Sequence, residues 1–163
     1  MNAVPPEPTP TYLQLRSRIL SLNPADLGLS PTDATPHIWG VVMEMNYAVG
    51  TATLLSLADG TTSVHYSTGG GLLGRGDYAP VAQASKTLVA QAEGFLNLTS
   101  SAKEFPLPET GQVRFIFLTF TGVYTVIAPA ISLASHTHPL TPIFINAQEV
   151  LSQLRLLAEK TQK

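Results

Sequence analysis

The sequence predicts an α+β fold: one five-stranded antiparallel sheet with helices, in the order α-βββ-α-ββ-α. Three observations carry this prediction. Asp59-Gly60 separates two runs of alternating apolar and small polar residues, as the turn of a hairpin does. A second pair of β-rich runs flanks Thr121-Gly122. Apolar residues recur at helical spacing in three places, starting at Tyr12, Val81 and Ile143.

In chain order, residues 1–10 hold four prolines without periodicity and are read as a flexible tail, leaving 11–163 as a single domain. Thr9-Pro10 opens the first helix, whose stripe is Tyr12, Leu15, Ile19 and Leu22, with Arg16 and Arg18 expected to turn away and Asn23-Pro24 to end it. After a surface connection over 30–36, Ile38 to Met45 reads as a strand. Its run Val41-Val42-Met43 breaks strict alternation, which fits a strand covered on both faces or one with a bulge.

A two-residue turn at Asp59-Gly60 places Leu57 opposite Thr62, Leu55 opposite Val64 and Thr53 opposite Tyr66 on an apolar face. Ser56 and Ser63 then share a small polar face. The glycines after Thr68 are expected to break the strand. Asp77 would cap the next helix, with Pro80 in its first turn and Val81, Ala84, Leu88, Ala92 and Phe95 as its buried stripe.

Residues 99–111 read as a loop, and Gln112 to Phe120 as a strand. A turn at Thr121-Gly122 would set Phe117 opposite Val126 and Ile116 opposite Ile127. Residues 132–140 read as a loop. Thr141-Pro142 starts the last helix, with the Thr141 hydroxyl as cap and Ile143, Ala147, Val150, Leu154 and Leu157 inward.

Only 12% of the 163 residues are charged and the net charge is -2, so neither nucleic acid nor an anionic membrane is an expected partner. Sparse charge on a chain that is 44% hydrophobic points to apolar surface hidden against another chain, hence a homodimer. The absence of cysteine excludes disulfides, thiol catalysis and thiolate metal sites. No leader-like segment and no apolar run of spanning length is present, and the expected location is the cytoplasm.

The order of elements from Thr11 to Lys160 resembles that of the type III secretion chaperones and related small bacterial proteins. The resemblance lies in element order alone, and this chain is less acidic than those chaperones tend to be. It implies a dimer that binds another polypeptide. A rival resemblance is to the roadblock and profilin-like folds, α-ββ-α-βββ-α, which requires a separate strand at 131–133.

The run Gly69-Gly70-Gly71-Leu72-Leu73-Gly74 matches G-x-G-x-x-G, but the acid at the ~20-residue offset, Glu93, falls within a helix, and Arg75-Gly76 stands where a phosphate loop carries Lys and a hydroxyl. Gly69, Gly70, Gly71, Gly74 and Arg75 remain as a candidate anion or small-ligand site beside a helix start. The plainer reading of the same glycines is a chain reversal from sheet to helix. His136 and His138 lack a third metal ligand nearby. His65, paired with Leu54 in the expected register, is a candidate base for Ser63 or Ser67, without a third member. Glu44, Asp59, Glu104 and Glu109 form no carboxylate pair, and Trp39 and Tyr47 read as core or dimer contacts. The resulting expectation is a non-enzymatic protein-binding or chaperone-like module with no cofactor. The alternative is a small-ligand protein, possibly with weak enzymatic activity, using residues 69–76.

Overall fold

The computed structural model of the chain describes residues 6–74 and 78–161. Among them, one antiparallel sheet carries helices on both faces. Its strands are β1 (Ile38–Tyr47), β2 (Gly50–Leu57), β3 (Thr62–Tyr66), β4 (Gly71–Gly74), β5 (Ser100–Ser101), β6 (Gln112–Thr119) and β7 (Gly122–Pro129). They lie in the order β4-β3-β2-β1-β6-β7-β5. The helices are α1 (Pro10–Leu20), α2 (Ala79–Ala92), α3 (Ala130–Ala134) and α4 (Thr141–Thr161), with short 3-10 turns at Pro24–Leu27 and Glu93–Leu98.

The sheet is therefore seven-stranded, and the expected five-stranded order is corrected at both borders. The glycine run supplies β4, and the segment read as a loop over 99–111 supplies β5. The roadblock-like alternative also falls, because four strands precede α2 and residues 131–133 lie in helix α3. That helix also replaces the start of the loop expected over 132–140.

Both hairpin registers differ from the expected ones, for one reason each. At Asp59-Gly60 the loop has three residues: the Leu57 N–H donates to the Thr61 carbonyl at 2.9 Å and the Gly60 N–H to the Leu57 carbonyl at 2.9 Å. Gly60 takes φ +94° at the third loop position, where a left-handed residue closes a bulged hairpin. The extra loop residue moves every partner by one. Val64 faces Leu54, Leu55 faces Ser63, and Leu55 and Val64 end on opposite faces, both buried. In the second hairpin the two central residues are Phe120 and Thr121, so Phe117 faces Tyr124 and Ile116 faces Thr125. A shift of two leaves each side chain on its intended face.

β1 is buried on both faces along most of its length and has a bulge between Ile38 and Gly40. There Ile38 joins the core under the helices while Trp39 joins the core on the other side. Gly40 sits close to its neighbours: a Cβ there would stand 3.0 Å from a Leu57 methyl and 3.1 Å from a Leu118 methyl, which would have to give way.

The larger core lies between the sheet and α2 and α4, where Met43, Leu54, Val64, Phe115 and Phe117 meet Val81, Leu88, Ile143, Val150 and Leu154. The expected stripe of α4 is the buried one, with Leu157 partly covered. Thr141 does not cap as expected: its hydroxyl donates to the Leu133 carbonyl at 3.2 Å, tying α4 to α3. The N-cap position of α2 is Tyr78, and Asp77 lies outside the described residues. The smaller core, on the opposite face, packs Val42, Leu55, Leu57, Ile116 and Leu118 against Ile19 of α1 and Phe105.

Candidate functional site

The glycine run is a second copy of the Asp59-Gly60 turn. The Tyr66 N–H donates to the Gly70 carbonyl at 3.1 Å and the Gly69 N–H to the Tyr66 carbonyl at 2.9 Å, with Gly69 at φ +114°. Thr68-Gly69 thus does what Asp59-Gly60 does nine residues earlier, and Gly71 and Gly74 enter the ladder of β4. Gly74 is needed for packing, since a Cβ there would stand 2.9 Å from Val81. The proposed ligand residues are consequently spread along a turn and a strand. Gly69 and Gly70 spend donor and acceptor on the hairpin, and Arg75 lies outside the described residues.

What this arrangement presents is a sheet border. Because Tyr66 bonds Gly70, alternation turns Leu72 and Gly74 toward β3 and points the N–H and C=O of Gly71 and Leu73 outward. Among the described residues nothing pairs with them. Leu73 is 61% exposed, and no charge or proline interrupts Gly71–Gly74. Alongside, a groove of about 600 Å³ runs between β4 and the last turns of α4, lined by Leu72, Tyr78, Leu154, Leu157 and Ala158. The Tyr78 hydroxyl accepts from Lys160 Nζ at 2.7 Å.

The opposite border is the two-residue strand β5, which covers part of β7. Ser100 and Ser101 pair with Thr125 and Tyr124, and the Ala102 N–H donates to the Val123 carbonyl at 3.0 Å. The remaining outward residues of β7 are Ile127 and Pro129, and proline has no N–H to offer.

The most concentrated polar chemistry lies under α1. Arg16, expected to face solvent, instead turns inward: its Nε donates to Glu44 Oε2 at 2.7 Å, and its Nη2 to Glu44 Oε1 at 2.8 Å and to the Phe105 carbonyl at 2.6 Å. Glu44 is 0% exposed, and its Oε2 also accepts the Thr53 hydroxyl at 2.8 Å. With the Thr53 proton committed there, the Tyr12 hydroxyl donates to Thr53 at 2.6 Å. Burial is the main force raising Tyr12 to about 12, and the nearby Glu44 charge adds to it. For Arg16, burial works against the charge but the bonds to Glu44 outweigh it, and its pKa rises. Arg114 stands opposite Glu44 in the ladder and donates to Thr125 at 3.1 Å, and burial lowers its pKa despite Glu44. Both carboxylate oxygens of Glu44 are engaged, so the network holds α1 to the sheet and has no free base to offer a substrate.

The remaining candidates do not converge. His65 faces Thr53, not Leu54, and burial lowers its pKa. The Ser67 hydroxyl accepts the Thr51 N–H at 2.8 Å, and no Ser–His bond joins it to His65 among the described residues. His138 uses Nδ1 to accept the Leu140 N–H at 3.0 Å. Among the described residues no group of His, Asp and Glu is placed to hold a metal ion. Trp39 is buried in the smaller core, while Tyr47 borders a cleft of about 210 Å³ with Met45, Tyr66, Leu151 and Arg155. That volume is below the ~300 Å³ at which small-molecule pockets usually begin.

The sequence reading missed both the open border and the ion-pair network. A signal for the second was present: an acid inside a strand read as covered on both faces requires a buried partner. No helix of the described residues is long and apolar enough to cross a membrane. Comparison with protein-family models, curated proteins and solved structures gives no match to this chain.

Proposed function

We propose that this protein is a non-enzymatic polypeptide-binding module of the chaperone-like kind, in which an extended segment of another chain adds as a strand to β4. The carrying observation is the ladder of Gly71 and Leu73, unpaired among the described residues, beside the groove lined by Leu72, Tyr78, Leu154 and Leu157. Main-chain bonds supply affinity in such docking, and alternate side chains dropped into a groove supply selectivity. The low charge of the chain and the engagement of Glu44 by Arg16 and Thr53 agree with binding as its task. A location in the cytoplasm and assembly with further copies belong to this proposal.

The test is fluorescence anisotropy with labelled ten-residue peptides that alternate apolar and polar residues. Micromolar binding is expected, weakened about tenfold or more by Leu73→Pro. This substitution deletes an outward N–H and leaves the inward bonds of β4 intact. Failure of every peptide to bind, or binding indifferent to Leu73→Pro, overturns the proposal.

A further inference from the structure

We infer that the strand that occupies β4 is β4 of a second copy, paired antiparallel about a twofold axis that passes through Leu72. The inference rests on the strand-docking reading and names its partner. Outward groups belong to Gly71 and Leu73, one residue to either side of Leu72. Antiparallel pairing of two copies with Leu72 opposite Leu72 sets Gly71 opposite Leu73 of the second copy, and the reverse. Every outward N–H within Gly71–Gly74 then meets an outward C=O. Shifts by two positions leave part of the ladder unpaired, and shifts by one set outward groups against inward ones.

The length of the border favours the same partner. Among the described residues β4 spans four positions, and a second β4 matches them end to end. Leu72 points to the face of α2 and α4, where it packs on the core with Tyr78, Leu154 and Leu157 close by. The twofold brings the two grooves side by side, and their apolar walls extend the contact beyond the ladder. The contact is isologous, the commonest arrangement for homodimers. A short strand pair with one groove on each side is a small interface, so the expected behaviour is a concentration-dependent equilibrium.

The absence of cysteine makes the register directly testable. Opposed residues in a non-hydrogen-bonded antiparallel pair have Cα atoms about 4.5 Å apart, within disulfide reach. Under mild oxidation Leu72→Cys is expected to give a covalent dimer and Leu73→Cys to remain mostly uncoupled. Sedimentation velocity across a concentration series is expected to show a monomer–dimer equilibrium in the unmodified chain, weakened about tenfold or more by Leu73→Pro and by Leu73→Lys. A dimer that survives both Leu73 substitutions, or one cross-linked equally well from 72 and 73, overturns the inference. A strict monomer that still binds extended peptides in a manner sensitive to Leu73→Pro overturns it too, while leaving the polypeptide-binding reading in place.

Discussion

The two faces of the sheet are closed by different chemistry. Under α2 and α4 the seal is mainly apolar contact, with a small cluster of hydroxyls from Ser56, Thr62 and Ser85, which bond one another and the Gly60 carbonyl. Under α1 the apolar patch is smaller, and beside it a buried carboxylate, a guanidinium, a threonine and a tyrosine form one chain of bonds. Apolar packing tolerates a small loss in proportion to the area removed. A buried charge network fails more abruptly, because removing one member strands the others without water.

Glu44→Gln tests that contrast most severely. It leaves Arg16 under cover without a counter-charge, and an expected loss of about 3–5 kcal/mol is read from the urea midpoint. Replacing both partners, Arg16→Met with Glu44→Leu, is expected to recover more than half of it. Next in size is a pH effect. Tyr12 rises from 10.0 to about 12 on folding, so the folded chain holds a proton that the unfolded chain releases between those values. Stability is therefore intact below pH 10 and falls by about 2 kcal/mol as pH rises to 12. Tyr12→Phe should flatten that slope in denaturation curves taken across the window. The smallest effect belongs to the apolar side: Ser85→Ala removes one member of the hydroxyl cluster and is expected to cost about 1 kcal/mol, lowering the melting temperature by roughly 2–4 °C.

The same contrast explains what the sequence could disclose. The buried stripe of α4 was legible because its side chains serve one apolar core, and spacing alone reports that. The turn at Asp59-Gly60 was legible as a turn, but whether glycine sits second or third in the loop changes the register by one, and the dipeptide does not say which. Thr68-Gly69 makes the same turn with weaker residues, and it was hidden inside a motif that invites a ligand. Arg16 was misplaced because a charge on an amphipathic helix normally faces water, and Glu44, the partner that reverses this, is 28 residues away. The open border was out of reach for a related reason. Which strand lies outermost depends on the pairing order of the whole sheet, which no local pattern encodes.

The partly covered border of β7 has a consequence for crowding. Strand-by-strand growth needs a donor side and an acceptor side on every molecule. Here, among the described residues, the β7 side is interrupted by the two-residue β5 and by Pro129, which has no N–H, so pairing of the proposed kind at β4 would use the longer open stretch of ladder and leave only a broken one for further growth.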